Sequence, residues 1–163
     1  MIMDLETIEE YVLEGREELK RVEHIIYVSL KYTRTTDVLR NGLLRFVSFF
    51  DIMVGAFMLD AQEKGLIEKI AKSPALCVTR LAEMHPEDKD LQQFVIFYFF
   101  LKNLLNSDYK RINEYRRHVG MVFHLEGNST VIINIDNLET CEYYCHKFFN
   151  HSRKFFGFVK EDE

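Results

Sequence analysis

The sequence predicts a mainly α-helical fold, an antiparallel helical bundle with one small β-hairpin inserted before the C-terminal helix. Apolar residues recur three and four positions apart over long stretches, which is the period of an amphipathic helix. Glycine and proline are scarce, with seven and two in 163 residues, which disfavours loop-rich and all-β folds. The helical period gives way to strand-like alternation only near residue 119. A chain of this length is predicted to form a single domain over 1–163.

The first two helices are predicted from one apolar stripe and one break. The stripe covers 4–33, and Asp4 can act as its N-cap. The break at 35–37, Thr-Thr-Asp, offers a second N-cap for a long apolar helix that reaches about Gly65. This second helix is rich in phenylalanine and methionine, so it is predicted to form the centre of the core.

Two further helices follow from their start and stop signals. Ser73-Pro74 starts a short helix, and His85-Pro86 ends it after Met84. The segment 87–106 contains the strand-like run 94–101, but the apolar pattern is too long for a buried strand, so we predict a helix.

The C-terminal third changes character. Ser107 is predicted to cap a short basic helix ending near His118. A β-hairpin at about 119–135 follows, folded around a Gly-Asn turn. Asp136 and Glu139 have the spacing of a capping box, which predicts a final helix over about 137–159.

Composition excludes several classes of protein. The formal net charge of −5 disfavours a general nucleic-acid coat but leaves a local basic site open. Three cysteines are too few and odd in number for a secreted disulfide framework, and no signal-like N-terminus is present. No uncharged apolar run reaches the length of a membrane span. We therefore expect a cytoplasmic protein that does not associate with membranes. The sequence also contains no glycine-rich phosphate loop, so no nucleotide cofactor is expected.

The segment 141–151 resembles a metal motif, Cys-x3-Cys-His-x4-His, but its geometry is poor. On one helix Cys141 and Cys145 lie about 40° apart, whereas His146 and His151 fall near 140° and 280°. Ligands that point three ways cannot close a tetrahedral site. We therefore predict buried thiols in a phenylalanine-rich core stripe and no metal site.

The segment 108–118 is the basic part of an acidic chain. Its cations are Lys110, Arg111, Arg116, Arg117 and His118, and His124 follows beyond Gly120. A histidine can move the proton of an RNA 2′-hydroxyl, and an arginine can stabilise the phosphate, so RNA binding and metal-free RNA cleavage are both open. The simpler interpretation is a solvated helix end whose charges complement the dipole. Tyr27, Tyr32, Lys31 and Arg34 add basic and aromatic character at the end of the first helix, or form only a polar helix junction.

The helical bundle together with Arg117-His118-x5-His124 resembles the HEPN families. Their signature is an arginine, a polar residue and, a few positions on, a histidine. The resemblance implies a homodimer in which two motifs face one cleft, and in many members metal-independent endoribonuclease activity. Carried over, Arg117 would stabilise the phosphate, His118 would be the polar second residue and His124 the catalytic histidine. In those families the motif normally opens a helix, whereas His124 is predicted in a strand. Arg111 with His118 keeps helical spacing as an alternative pair.

The apolar stripe at 5–33 also favours a homodimer built through long helices, although the same stripe serves a monomeric bundle. Two functions remain open after the sequence alone. One is a HEPN-like RNA-acting protein, a nuclease or a binder, that uses the patch at 111–124. The alternative is a non-enzymatic helical module whose partner is another protein.

Overall fold

The computed structural model describes residues 5–158. The first helix, α1 (Ile8–His24), continues through one π-helical turn (Ile25–Ser29) into a last short turn, α2 (Leu30–Tyr32). Its N-cap is Thr7, whose hydroxyl accepts the backbone N–H of Glu10 at 3.1 Å. The Asp4 N-cap predicted from the sequence lies outside the described residues. The single long first helix is therefore correct in extent, but it contains an unpredicted π turn.

Helix α3 (Thr36–Glu63) is the central helix of the core, as its composition predicted. The Thr35 hydroxyl caps it by accepting the Val38 N–H. Sixteen of its 28 residues are buried, and its partners in the core are α1 on one side and the C-terminal helix on another. By length and composition α3 is apolar enough to cross a membrane. However, 72% of its most apolar window is buried inside the protein, as is typical of a central core helix.

Helices α4 (Pro74–Met84) and α5 (Lys89–Leu105) confirm the predictions for this part of the chain. Ser73 caps α4, with Pro74 at its first position. The Asp88 side chain caps α5 by accepting the Leu91 N–H at 3.0 Å. The strand-like run of aromatic residues is thus helical, and Tyr98 and Leu101 from it are buried in the core.

The predicted hairpin is present but belongs to a three-stranded antiparallel sheet in the order β1-β2-β3. Strands β2 (Gly120–Leu125) and β3 (Ser129–Asn134) form it around a short 3-10 turn. The predicted basic helix at 107–118 is wrong. Its first half is β1 (Tyr109–Ile112), which pairs Tyr109 with Phe123 and Ile112 with Gly120. The second half is a loop, because Asn113 and Tyr115 have left-handed φ values of 55° and 66°.

Helix α6 (Ile135–Phe155) closes the bundle and begins two residues before the predicted start. Its N-cap is Asn134, which exchanges hydrogen bonds with Asn137 in a capping box. The predicted capping box of Asp136 and Glu139 is wrong because β3 runs directly into the helix. The α6 N-terminus therefore lies at the same end of the bundle as α2 and the β1–β2 loop.

Candidate functional site

A cleft of about 360 Å³ opens at this end of the bundle. Its wall is formed by three segments: the π turn and last turn of the first helix, the β1–β2 loop and the first residues of α6. We call it the polar cleft. The side chains that line it are Ile26, Tyr27, Leu30, Lys31, Arg34, Arg117, His118, Asn134, Ile135, Asp136 and Glu139. A concave site with convergent polar groups is the usual form of a ligand-binding site.

A backbone hydrogen bond joins two walls of the polar cleft. The Tyr115 N–H donates to the Arg34 carbonyl oxygen at 2.7 Å, linking segments that are 81 positions apart in the sequence. Within the loop, the Asn113 side chain donates to the His118 carbonyl oxygen at 3.2 Å. The loop therefore has a defined conformation, which holds two non-glycine residues in the left-handed region. Such conformations cost energy, and they are concentrated at functional sites.

The cations of the polar cleft lie on the first-helix and loop walls. Lys31, Arg117 and His118 are exposed, while Arg34 is half-buried. The Arg34 Nε–H is buried and donates no hydrogen bond to any described residue. A buried donor without an acceptor is costly, so a ligand oxygen beside it would be stabilised. The carboxylates of the cleft, Asp136 and Glu139, lie on the opposite wall, at the start of α6.

Exposed tyrosines surround these cations. Tyr32 and Tyr115 are 80% and 79% exposed, and both lie close to Arg34, one by sequence and the other by its backbone hydrogen bond. Tyr27, which lines the cleft, is 54% exposed. Tyrosines that only pack in the core would be buried or half-buried, so packing does not account for these three rings. Three exposed rings beside the cations of the polar cleft are typical of a surface on which nucleic-acid bases stack.

Of the six residues that the sequence singled out, only Arg117 and His118 line the polar cleft. Arg111 is exposed but occupied: its guanidinium donates to the Thr36 hydroxyl at 2.8 Å and pairs with Asp37 at 3.0 Å. These contacts anchor β1 to the N-terminus of α3, and Asp37 raises the pKa of Arg111 through a hydrogen bond. Lys110 and Arg116 are exposed outside the cleft lining.

His124 lies in a different cleft from Arg117. It is exposed on β2, its Nδ1 is 3.4 Å from the Thr130 hydroxyl, and its neighbours in that cleft include Asn103 and Ser107. It is four positions along the strand from Gly120 at the loop end of β2, a distance of about 13 Å. A single protomer therefore does not bring the predicted catalytic pair, Arg117 and His124, together. The alternative pair, Arg111 and His118, loses its basis because no helix connects them.

The prediction of buried thiols is confirmed. Cys141 and Cys145 are buried on the inner face of α6, and Cys77 is buried on α4. Desolvation raises the pKa of Cys141 to about 12 and that of Cys145 well above its ordinary value, so both thiols stay protonated. The two histidines of the former motif instead pair with carboxylates: His146 with Glu23 and His151 with Asp88.

Comparisons with protein-family models, curated proteins and solved structures return no match for this chain. The site must therefore be interpreted from its own geometry. The basic patch predicted from the sequence covered the segment 108–118, and Lys31 and Arg34 had no assigned role in it. The signal in the sequence was the clustering of basic and aromatic residues at one helix end, Tyr27, Lys31, Tyr32 and Arg34. Only the fold shows that the β1–β2 loop and the start of α6 lie opposite this helix end.

Proposed function

We propose that the protein is a single-stranded RNA-binding protein that uses the polar cleft and the tyrosines around it. The observation that carries this proposal is the hydrogen bond from Tyr115 to Arg34. It joins two separate segments, each of which supplies at least one exposed cation and an exposed tyrosine. A surface that binds single strands usually combines cations placed along the nucleic-acid backbone with aromatic rings on which the bases stack.

Each group of the cleft has a matching group on RNA. Lys31, Arg34 and Arg117 are suited to phosphate oxygens, and arginine can hold two of them at once. The rings of Tyr32 and Tyr115 can stack on unpaired bases, an interaction of about 1–3 kcal/mol per base. Asp136 and Glu139 can accept hydrogen bonds from base amino groups or ribose hydroxyls, which a single strand leaves unpaired. RNA therefore fits the mixed charge of the cleft better than a simple anion.

The proposed function is binding rather than cleavage by one protomer. Cleavage of the HEPN type needs an arginine and a histidine at one phosphate, and Arg117 and His124 line different clefts. Within the cleft His118 is the one histidine among the described lining residues. The HEPN resemblance and the nuclease activity it implies stay predictions, and they require a dimer that joins residues of two copies.

The test is fluorescence anisotropy with a labelled single-stranded RNA of about ten nucleotides, a length within the usual site size. We expect wild-type affinity to fall with salt, and Arg117→Ala to reduce the slope by about 0.7 because one phosphate contact is lost. Tyr115→Ala should weaken binding by about tenfold, equivalent to the stacking of one base. Both side chains are exposed, so folding should survive.

Two matched controls belong to the same measurement. Arg16 is exposed on α1, roughly 20 Å along the helix from Lys31, so Arg16→Ala removes a charge without touching the cleft. Tyr143 is 59% exposed on α6 outside the cleft lining and serves as the control for Tyr115. Equal losses in controls and cleft variants would show nonspecific attraction only. Wild-type RNA cut in EDTA, with the cutting abolished by His124→Ala, would instead support the nuclease.

A second candidate function, a protein-interaction module, is favoured by one observation on α5. Ile96, Phe99 and Phe100 are exposed at helical spacing, and no charged residue occurs between positions 91 and 101. We propose a second copy of the chain as the partner of this face. Two chains of net charge −5 repel each other, and an uncharged apolar face is where identical surfaces meet with the least repulsion.

A further inference from the structure

Three potential metal ligands meet between α1 and α6, and His146 is the one that also belongs to the motif considered in the sequence. Glu23 lies in the last turn of α1, while Glu142 and His146 lie four residues apart on one face of α6. His146 Nε2 is 2.9 Å from a Glu23 carboxylate oxygen and 3.7 Å from a Glu142 carboxylate oxygen. All three ligand atoms lie within 4.8 Å of one another.

These separations suit a metal ion at their centre. Zinc ligands lie about 2.0–2.2 Å from the ion, so ligand atoms of one tetrahedral site are about 3.4 Å apart. The two observed distances from His146 bracket that value. Side-chain movements of about half an ångström would bring His146 to this separation from both carboxylates. A rotation of the Glu23 side chain, which is 40% exposed, would bring its carboxylate oxygen closer to that of Glu142.

Glu142 supplies an acceptor that the protein does not satisfy. Its side chain is 13% exposed, and its Oε2 atom is buried with no hydrogen-bond partner among the described residues. The carboxylates of Glu23 and Glu139 lie near this oxygen and make its surroundings locally negative. A buried oxygen in a locally negative site is stabilised by a cation. A metal ion held between the three ligand groups is such a cation.

We propose that Glu23, Glu142 and His146 form a binding site for a divalent transition metal ion, with zinc as the reference ion. Imidazole suits zinc, and carboxylates complete sites of this kind when three protein ligands leave a fourth position open. His146 and Glu23 are 41% and 40% exposed, which gives the ion an entry path and leaves a coordination position for water. This proposal does not rest on RNA binding.

The test is isothermal titration calorimetry of the full chain with ZnCl2, after dialysis against EDTA and then against metal-free buffer. We expect one zinc ion to bind per chain. His146→Ala and Glu142→Gln should each lower the affinity at least about tenfold, since loss of even an outer-sphere partner costs that much.

His151→Ala is the matched control. His151 Nε2 also pairs with a carboxylate, Asp88, at 2.8 Å, but no third ligand group joins that pair among the described residues. The zinc affinity of the His151→Ala variant should equal that of wild type. The proposal is overturned if wild type binds no zinc at submillimolar concentration, or if the His146 and His151 variants lose affinity equally. Circular dichroism establishes that each variant keeps its helical content.

Discussion

Asp51 is a half-buried carboxyl group in the middle of the central helix. The buried Tyr98 hydroxyl donates a hydrogen bond to it at 2.8 Å, which lowers its pKa, but desolvation is the larger effect and raises the pKa overall. A raised folded-state pKa favours the protonated form. The protonated carboxyl group of Asp51 therefore contributes its full share of stability below the unfolded pKa near 3.8. That contribution is lost as the pH rises through the raised pKa of the folded state.

This linkage makes Asp51→Asn a stabilising change at neutral pH. Asparagine keeps an acceptor for the Tyr98 hydroxyl but carries no charge to desolvate. In urea unfolding the gain should be present at pH 7 and should shrink as the pH falls through the raised pKa of folded Asp51, where the wild-type carboxyl group becomes protonated. Asp51→Ala should instead lose about 1–3 kcal/mol, because it leaves the buried hydroxyl without a partner. A variant Asp51→Asn that is less stable than wild type at pH 7 would contradict this account.

At the scale of elements, the β1–β2 loop is fixed to the N-terminus of α3 by Glu114. Its carboxylate accepts hydrogen bonds from the Thr36 N–H and the Thr36 hydroxyl, and Thr36 is completely buried. The first N–H groups of a helix have no partner within the helix, so this carboxylate acts as a cap supplied from another element.

We expect Glu114→Ala to lower the free energy of unfolding by about 1–3 kcal/mol, because two buried donors lose their acceptor. Chemical denaturation followed by circular dichroism measures the change. Glu126→Ala provides the control, since Glu126 is exposed in the β2–β3 turn and should change stability by less than about 0.5 kcal/mol. Equal effects of the two substitutions would show that Glu114 does not cap α3.

The helix predicted from the sequence at 107–118 was wrong because of the composition of this segment. Lysine, arginine and glutamate are good helix formers, and their local pattern contains no sign of a strand partner. The strand exists because Tyr109 packs its ring on Phe123 at 5.6 Å and Ile112 lies against Gly120, contacts that only the fold brings about. The π turn at 25–29 was equally invisible, because residue propensities do not distinguish π from α turns.

At the scale of the whole molecule, the helix boundaries set by Thr35, Ser73-Pro74 and His85-Pro86 could be predicted because caps and prolines act locally. The candidate site could be predicted only in part. Arg117 and His118 can be recognised in the sequence as basic residues. Their position across the polar cleft from Lys31 and Arg34 depends on a loop in which two residues adopt left-handed φ values. The Glu23 ligand of the proposed metal site is 123 positions from His146, beyond any local pattern.

The apolar stripe at 5–33, which favoured a homodimer, is used within the chain. Val12, Leu19, Val22 and Ile26 are buried in the core, so they are not available to a second copy. The homodimer stays a prediction, and the α5 face is now its basis. If two copies associate there, light scattering at micromolar concentration should give about twice the chain mass of 19.5 kDa.

A substitution in the centre of the α5 face should separate the copies without unfolding them. Ile96 is 69% exposed, so Ile96→Glu places a charge where a symmetric contact would bring two of them together. We expect this variant to scatter as a 19.5 kDa particle with unchanged circular dichroism. Leu13→Glu is the control, because Leu13 is 62% exposed on α1 and away from α5 in the sequence and the fold. A wild-type chain that is monomeric at these concentrations would rule out the α5 contact, and a dimer unaffected by Ile96→Glu would place the contact on another face.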